Sequence, residues 1–271
     1  MSFLSWHPLS FLKRHFEADF QVFENSIPEE EIKKGFSIKK LDWDSSFFGK
    51  DIFKILFWDE KSGNRPGFPR IQKGQMFAEV PAEAVDLFPV LQQNGFALIE
   101  TRLTYFHMLD NLPAESLQSR FAGAGDISNL KTVASQAINI YDRYHADSFF
   151  SESDTNRYLE AYIENCVNGF AERVFVPDLA EPPASFVALA RLKEPLFPAG
   201  NLFRIPLTAC LPANRGWHYP LCLSALYYAK AQSGKCLVMT TQSTNGAVIH
   251  NCEKLGFKLG SIFHIFSKSI S

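Results

Sequence analysis

The last quarter of the chain, Arg215 to Lys268, constrains the fold more than any other stretch. It reads as a loop, a helix, a short apolar strand, a second helix and a closing strand rich in aromatic residues. Asn245 stands where the second helix would begin, and its side chain can accept a hydrogen bond from the first helical turn. Gly256-Phe257 stands where that helix would end, because glycine readily adopts the left-handed conformation found there. This order predicts an α/β unit with a ligand-binding helix start.

A shorter copy of the same layout lies in the first half of the chain. Leu91 to Phe96 closes a predicted helix with Gly95-Phe96, and the next strand ends near Phe106-His107. The C-terminal copy runs from Cys252 to Phe257 and on to Phe263-His264. The repeat predicts two related α/β units, the first one shortened. Chance stays open as the alternative, because Gly-Phe after a helix is common.

The predicted domains follow from this repeat and from the chain length. A chain of 271 residues is long enough for two cores of ordinary size. We expect a first domain over residues 1–110 and a second over 126–271. The stretch between them contains Pro113, Gly123 and Gly125 and is predicted to be a linker.

Composition excludes several classes of function. A net charge of −2 with 21% charged residues does not favour a nucleic-acid partner. The five cysteines form no CxxC motif, which predicts reduced thiols in a cytoplasmic protein and no metal site. No apolar run approaches the roughly 18–20 residues needed to span a bilayer, so no membrane partner is expected. Met1 to Leu12 lacks a signal-peptide cleavage site.

The C-terminal segment resembles the GCN5-related N-acetyltransferase (GNAT) superfamily. In that family a strand leads into an Arg/Gln-x-x-Gly-x-Gly/Ala loop, and the helix after it binds the pyrophosphate of coenzyme A. More narrowly, Trp43–Gly49 (WDSSFFG), Gly95–Arg102 and Tyr158–Asn165 are similar to the dTDP-fucosamine acetyltransferase group. The resemblance covers most of Leu41 to Lys268. It implies a mixed, largely antiparallel twisted sheet with flanking helices.

This resemblance implies an N-acetyltransferase. It would move an acetyl group from acetyl-CoA to the amino group of a small molecule, such as a nucleotide-linked amino sugar, by direct transfer in a ternary complex. The first domain would select the acceptor. Two alternatives stay open: a non-catalytic protein on the same scaffold, and an acyltransferase for another amine. Assembly as a homodimer also stays open.

The coenzyme contacts are carried over from the family's loop and helix start. They are Arg215, Gly216, Trp217, His218, Tyr219 and Asn245. His218 and Pro220 stand where the family has its two later glycines, and Pro220 has no N–H to offer a phosphate. The alternative is an ordinary loop-to-helix turn with a surface arginine.

The catalytic predictions also depart from the family pattern. The oxyanion donor is expected from a backbone N–H in the strand before the loop; since Pro206 has none, Leu207 or Thr208 would serve. The family's acid is a helix tyrosine, and Cys252 stands at that position. A thiol with a pKa of about 8.5 can protonate a leaving thiolate. The alternative is a buried core cysteine.

Four residues are predicted to bind the acceptor. Trp43, Phe47 and Phe48 could stack on a base or sugar, although an aromatic cluster beside a turn is also typical of core packing. His145, in the loop Arg143–Phe150, is a candidate general base. Its alternative is a surface histidine.

Overall fold

The computed structural model of the protein describes residues 7–15, 35–58, 70–113, 118–192 and 202–270. The strands are β1 (Phe36–Lys40), β2 (Ile52–Trp58), β3 (Gly74–Pro81), β4 (Ala97–Met108), β5 (Ser119–Phe121), β6 (Arg173–Pro177), β7 (Ser185–Arg191), β8 (Leu202–Cys210), β9 (Cys236–Gln242) and β10 (Lys258–Ile270). The helices are α1 (Asp42–Phe48), α2 (Leu87–Gln93), α3 (Ile127–Gln136), α4 (Glu152–Asn165), α5 (His218–Ala231) and α6 (Gly246–Lys254). Short 3₁₀ turns occur at Ser10–Arg14, Ala124–Asp126 and Pro212–Asn214, and a π-helical turn at Cys166–Phe170.

Two compact units interleave along the chain. Unit 1 comprises the described residues up to Leu103, the segment Tyr141–Ser151 and the residues from Gly260 onward; unit 2 comprises Thr104–Ile140 and Glu152–Leu259. The predicted ranges, 1–110 and 126–271, are contiguous, whereas these units are not. The difference arises because β4 enters unit 2 at Thr104 and β10 enters unit 1 at Gly260. β4 thus begins in unit 1 and ends in unit 2, whereas β10 begins in unit 2 and lies almost entirely in unit 1.

Unit 1 has the strand order β1-β2-β3-β10-β4. β2 and β3 run parallel, whereas β10 runs antiparallel to β3 from Phe263↔Pro81 to Ile270↔Gly74. Side chains alternate across a strand, so Met76, Ala78 and Val80 share one face of β3. They pack in a core cluster with Leu87 and Leu91 of α2.

Unit 2 has the strand order β4-β9-β8-β7-β6-β5. β5 to β8 pair antiparallel, and β8 pairs with β9 in parallel. The predicted linker contains β5, which pairs with β6. Leu130 and Val133 of α3 and Ile163 of α4 pack with β6 and β7 in one core cluster. The mixed, largely antiparallel α/β class is confirmed.

Both units contain the same irregularity in a strand. Between the pairs Ala190↔Arg204 and Ala188↔Leu207, β7 moves by two residues and β8 by three. β8 therefore contains one extra residue. In unit 1, β1 moves by one residue and β2 by two between the pairs Ile38↔Ile55 and Ser37↔Phe57, so β2 contains the extra residue. An unpaired extra residue of this kind is a β-bulge, which bends its strand. In each case the parallel pairing ends next to the bulge, at Ile55↔Ala78 and at Ile205↔Met239.

The repeated Gly-Phe pairs also adopt one geometry. Gly95 and Gly256 have φ of 81° and 83°. Phe96 donates its N–H to Leu91 O at 3.0 Å, and Phe257 donates to Cys252 O at 2.9 Å. The glycines donate to the carbonyls three residues before them, at 2.9 and 3.0 Å. Both helices therefore end in a Schellman motif, which supports the interpretation of two related units.

A pair of glycines in unit 1 yields a test of backbone crowding. Gly49 and Gly74 both have positive φ, but a Cβ at Gly49 would meet nothing within 4 Å, whereas one at Gly74 would lie 2.2 Å from Asp51 O. We expect Gly49→Ala to lower the free energy of unfolding by about 1–2 kcal/mol, the usual cost of a left-handed alanine. Gly74→Ala should cost at least about 2 kcal/mol more, because a clash with backbone is added. Urea denaturation measures both; equal losses would contradict the crowding at Gly74.

Candidate functional site

The place where β8 and β9 stop pairing, called the cleft below, is the strongest candidate site in unit 2. The two strands pair in parallel only as far as Ile205 and Met239, although β8 continues to Cys210 and β9 to Gln242. Beyond the last pair, Thr240 is exposed and Pro206, Leu207 and Thr208 are half-buried, whereas Ala209 and Thr241 are buried. Ligands in α/β sheets bind beyond the carboxyl ends of parallel strands that separate. The separation offers strand edges to an elongated ligand.

The two predicted oxyanion donors lie on β8 directly after the bulge. Leu207 pairs with Ala188 and Thr208 with Val187. The Thr208 hydroxyl donates to Phe186 O at 2.9 Å, so that side chain is engaged by β7. Any oxyanion contact from Thr208 would therefore come from its backbone N–H. This role stays a prediction for both residues.

The predicted coenzyme loop follows β8 and leads into α5. Arg215 and Gly216 are exposed, while Trp217 and Tyr219 are half-buried. Gly216 has a φ of 102°, which suits glycine. The Tyr219 ring lies 4.5 Å from the Lys254 ammonium of α6. The structure therefore brings the predicted loop residues together at one helix start.

His218, which the resemblance places where the family's loop has a glycine, is buried. Asn251 Nδ2 lies 3.0 Å from His218 Nδ1, and the Cys222 sulfur lies 3.5 Å from His218 Nε2. Burial lowers the pKa of His218 to about 4, so the imidazole is neutral near pH 7. A neutral ring that accepts at Nδ1 carries its proton on Nε2. His218 thereby anchors the start of α5 to α6 instead of leaving space there.

Asn245 caps α6, as the sequence predicts. Its side-chain oxygen accepts a hydrogen bond from Val248 N at 3.3 Å. The residue is half-buried and follows the open end of β9. Capping is the role that the structure establishes, and a contact with a pantetheine arm stays a prediction.

Cys252, which the resemblance predicts as the acid, is buried in α6. Its side chain has no exposed surface, and burial together with the charge of Glu253 raises the pKa of Cys252 to about 12. Its counterpart in the unit 1 repeat is Leu91, a core residue that is also fully buried. Burial favours the packing interpretation, because a thiol of such high pKa is a poor proton donor to a thiolate. Its role as an acid stays a prediction.

Two tyrosines of α5, Tyr227 and Tyr228, are other possible proton donors to the leaving thiolate. The Tyr227 hydroxyl donates to Pro113 O, and the Tyr228 ring packs on Phe121 and Phe175. Tyr105 of β4 was missed by sequence reasoning. Burial raises its pKa, and the charge of Glu253 adds to this rise. The phenol thus lies near the end of α6, where only the tertiary fold could bring it.

Three of the predicted acceptor residues lie on α1 in unit 1. The Phe48 ring lies 5.2 Å from Tyr144 and 4.7 Å from Phe150. Phe47 contacts Phe48 at 5.1 Å, and Trp43, which is 40% exposed, lies 6.0 Å from Phe47. The WDSSFFG stretch therefore holds the segment 141–151 through aromatic packing. Trp43 alone of the three exposes a large part of its ring.

His145 is held by Asp142 within the same segment of unit 1. His145 Nδ1 lies 2.6 Å from Asp142 Oδ2, and its side chain is only 4% exposed. The segment is further fixed through Asp147, which accepts hydrogen bonds from Gln75 and Ser267. A carboxylate at Nδ1 orients an imidazole. This arrangement suits either a structural histidine or an oriented base.

A cluster of charges in unit 1 was not predicted. Glu79 pairs with Lys54 at 2.6 Å and with Arg102 at 3.0 Å, while Arg102 also pairs with Glu100 at 2.8 Å. Burial alone would raise the pKa of Glu79, but Lys54 and Arg102 outweigh burial and lower this pKa to about 2. A carboxylate inside the apolar run Met76–Val80 is the sequence signal that could have revealed this cluster.

The described residues contain neither a cluster that could hold a metal ion nor a helix that could span a membrane. No group of three or more histidine, cysteine, aspartate or glutamate side chains among them could hold a metal ion. No helix in the described part of the chain is long and apolar enough to cross a membrane.

Comparison with solved structures identifies the fold. A GCN5-related N-acetyltransferase from Sphaerobacter thermophilus superposes with a TM-score of 0.59 at 11% identity, over 100% of this chain and 94% of that one. An acetyltransferase of the GNAT family from Colwellia psychrerythraea gives 0.55 at 13% identity, over 98% of both chains. A GCN5-related N-acetyltransferase from Kribbella flavida gives 0.52 at 13% identity, over 80% and 81%.

At these identities the likeness establishes the fold alone. No family model and no curated protein matches the sequence. The protein therefore has a GNAT fold, and the narrower likeness to dTDP-fucosamine acetyltransferases stays a prediction.

The buried His218 gives a prediction for stability against pH. The pKa of His218 falls from its usual 6.5 to about 4 on folding, so only the unfolded chain binds this proton between these values. Stability is therefore unaffected above pH 6.5 and falls as the pH drops toward 4, by about 3 kcal/mol in total. His218→Gln should remove this component, so that its unfolding free energy declines less than that of the wild type between pH 7 and 4. Parallel declines, measured by urea denaturation, would contradict the neutral buried imidazole.

Proposed function

We propose that the protein is an N-acetyltransferase that moves an acetyl group from acetyl-CoA to the amino group of a small molecule. The observation that supports this most is the separation of β8 and β9 beside a β-bulge, directly before a loop and a helix start. Strand edges opened in this way can hydrogen-bond the amides of a pantetheine arm. Arg215, Gly216, Trp217, His218, Tyr219 and Asn245 are the proposed coenzyme contacts.

The reaction we propose is a direct transfer in a ternary complex. The deprotonated amine attacks the thioester carbonyl, the C–N bond forms, the C–S bond breaks, and the coenzyme leaves as a thiolate that takes up a proton. A backbone N–H of Leu207 or Thr208 would stabilise the oxyanion. A covalent route is not favoured, because burial raises the pKa of Cys166 and of Cys236 to about 12, and a thiol is a weak nucleophile in its protonated form.

For the acceptor we propose an amino sugar carried by a nucleotide. The proposal relies on the resemblance of the WDSSFFG stretch, and Trp43 is the residue of that stretch with the most exposed ring. Trp43, Phe47, Phe48 and His145 stay predictions for acceptor recognition. An acyltransferase for another amine is the alternative within this class.

A non-catalytic binding protein is the second candidate. Specific observations favour it: His218 fills the place of a loop glycine with a buried ring, and the thiol at the position of the family's acid is buried. A protein of this kind would bind a ligand in the cleft without turnover.

Thiol release distinguishes the two candidates. We expect the purified protein to release coenzyme A from acetyl-CoA when a nucleotide-linked amino sugar is added, as measured with a thiol reagent. The same nucleotide sugar without its amino group serves as the control. Binding of coenzyme A by calorimetry without thiol release from any amine tested would favour the non-catalytic candidate.

Substitution of Cys252 tests the acid. Because the thiol is buried, we expect Cys252→Ser and Cys252→Ala to keep kcat within about threefold of the wild type, a change of less than about 1 kcal/mol in the barrier. Loss of a general acid would instead lower kcat by at least about 100-fold and leave the affinity for coenzyme A unchanged. That second pattern would establish Cys252 as the acid.

A further inference from the structure

The two units place a cationic side chain at the same position of their shared layout. Parallel pairing ends at Ile55 of β2 in unit 1 and at Ile205 of β8 in unit 2. Lys54 and Arg204 each stand one residue before that end, on the strand that contains the bulge. The surroundings of these two cations can therefore be compared position by position.

In unit 1 the cation has a partner on the neighbouring strand. Glu79 is the first residue of β3 after the last parallel pair, and its carboxylate accepts a hydrogen bond from Lys54 Nζ at 2.6 Å. Arg102 donates to the other oxygen of the same carboxylate at 3.0 Å. Side chains at the positions of Lys54 and Glu79 are thus within hydrogen-bond reach of each other in this layout.

In unit 2 the residue at the position of Glu79 is Thr240. It is the first residue of β9 after the last parallel pair, and it is exposed. A threonine carries no charge, so β9 offers Arg204 no counterpart of the Glu79 carboxylate. Within the described part of the chain, the Arg204 guanidinium forms no ion pair and no hydrogen bond.

The surroundings of Arg204 favour an anion beside it. Arg204 is half-buried, and its neighbours across the sheet, Ala190 and Val238, are buried apolar residues on the same face. Burial raises the pKa of Cys166 to about 12, although the charge of Arg204 opposes this rise. The thiol is therefore uncharged near pH 7 and does not balance the arginine. A charge that is partly removed from water is stabilised by an anion more strongly than a fully solvated charge.

The side chains at this place suit an oxygen-bearing anion. Val238 pairs with Arg204, and Thr240 follows two residues later on β9, so Thr240 lies on the same face as the arginine. A guanidinium binds a carboxylate or a phosphate through two parallel hydrogen bonds, and a threonine hydroxyl can donate a third. A ligand group standing where unit 1 has the Glu79 carboxylate would meet both side chains.

We infer that Arg204 and Thr240 form an anion site, which binds a carboxylate or a phosphate of the acceptor. The acceptor is then an amine that also carries such a group, either the carboxylate of an amino acid or the diphosphate of a nucleotide-linked amino sugar. The anion site follows from unit 2 alone, whereas its assignment to the acceptor rests on the proposed function.

A carboxylate introduced at position 240 tests the geometry without a ligand. Thr240→Glu should form with Arg204 the ion pair that Glu79 forms with Lys54, and Thr240→Gln is the uncharged control of equal size. In double-mutant cycles with Arg204→Gln, measured by urea denaturation at pH 7, we expect a coupling of about three- to fivefold in the unfolding equilibrium for Thr240→Glu. We expect none for Thr240→Gln. Absence of coupling for Thr240→Glu would overturn the inference, because the two side chains would not face each other.

Pyrophosphate and malonate serve as probes of the anion site. At an ionic strength held constant with sodium chloride, we expect at least one of them to raise the midpoint of thermal unfolding of the wild type and of Thr240→Gln. The rise should be smaller in Arg204→Gln, which lacks the guanidinium, and in Thr240→Glu, where the guanidinium is already paired. A larger rise with pyrophosphate identifies a phosphate as the bound group, and a larger rise with malonate identifies a carboxylate.

An equal rise in all four proteins, or no rise in the wild type, would overturn the inference. Thr240 is exposed, so its two variants leave the core unchanged. If Arg204→Gln does not fold, the contrast between Thr240→Glu and Thr240→Gln still decides.

Thiol release from acetyl-CoA connects the anion site with the acceptor. A nucleotide-linked amino sugar is compared with the free amino sugar, and an amino acid with the amine left by its decarboxylation. In one of these pairs we expect the anionic amine to have a kcat/KM at least about tenfold higher, a preference that Arg204→Gln removes and Arg204→Lys keeps in part.

The outcomes separate this inference from the proposed function. Thiol release with no preference that depends on Arg204 would overturn the inference and leave the proposed function standing. Stabilisation by a probe through Arg204, without thiol release from any amine tested, would end the proposed function and leave the anion site standing.

Discussion

One extra residue in β8 stands at the point where β8 and β9 stop pairing in unit 2. The bulge beside Pro206 bends the strand, and parallel pairing with β9 stops at Ile205↔Met239. An unbroken ladder would satisfy the backbone groups of both strands and leave no room between them. The break exposes strand edges in the middle of a sheet, a place that is normally closed. The candidate oxyanion donors and the loop to α5 come after this break in β8, and Asn245 comes after the corresponding end of β9.

The same break occurs in unit 1, so it belongs to the layout that the two units share. β2 carries the same bulge, and its pairing with β3 ends at Ile55↔Ala78. The two Schellman motifs, at Gly95 and Gly256, have nearly the same φ. The two units differ in the side chains and connecting elements that accompany these shared features. Unit 1 carries the ion pairs of Glu79 with Lys54 and Arg102, whereas unit 2 carries a loop and a long buried helix.

Unit 1 combines strands from the beginning of the chain with the last strand, β10. β4 follows a helix of unit 1 and ends in unit 2, and β10 follows a helix of unit 2 and ends in unit 1. Local sequence cannot reveal this, because a strand has the same pattern of side chains whichever neighbour it pairs with. The same reason explains why the proximity of Tyr105 to Cys252 and Glu253 was not predictable.

The sequence by itself determined the two helix ends at Gly95 and Gly256, the helix start at Asn245 and the repeat. It also showed the departures from the resembled pattern at His218, Pro220 and Cys252. These follow from local rules: glycine at a helix end, asparagine at a helix start and the missing N–H of proline. Only the tertiary structure decided which strands are neighbours, that the WDSSFFG stretch packs on the segment 141–151, and that His218 of α5 is held by Asn251 of α6. Such features arise from contacts between residues far apart in the chain, where burial and hydrogen-bond partners depend on the folded arrangement and not on the neighbours in sequence.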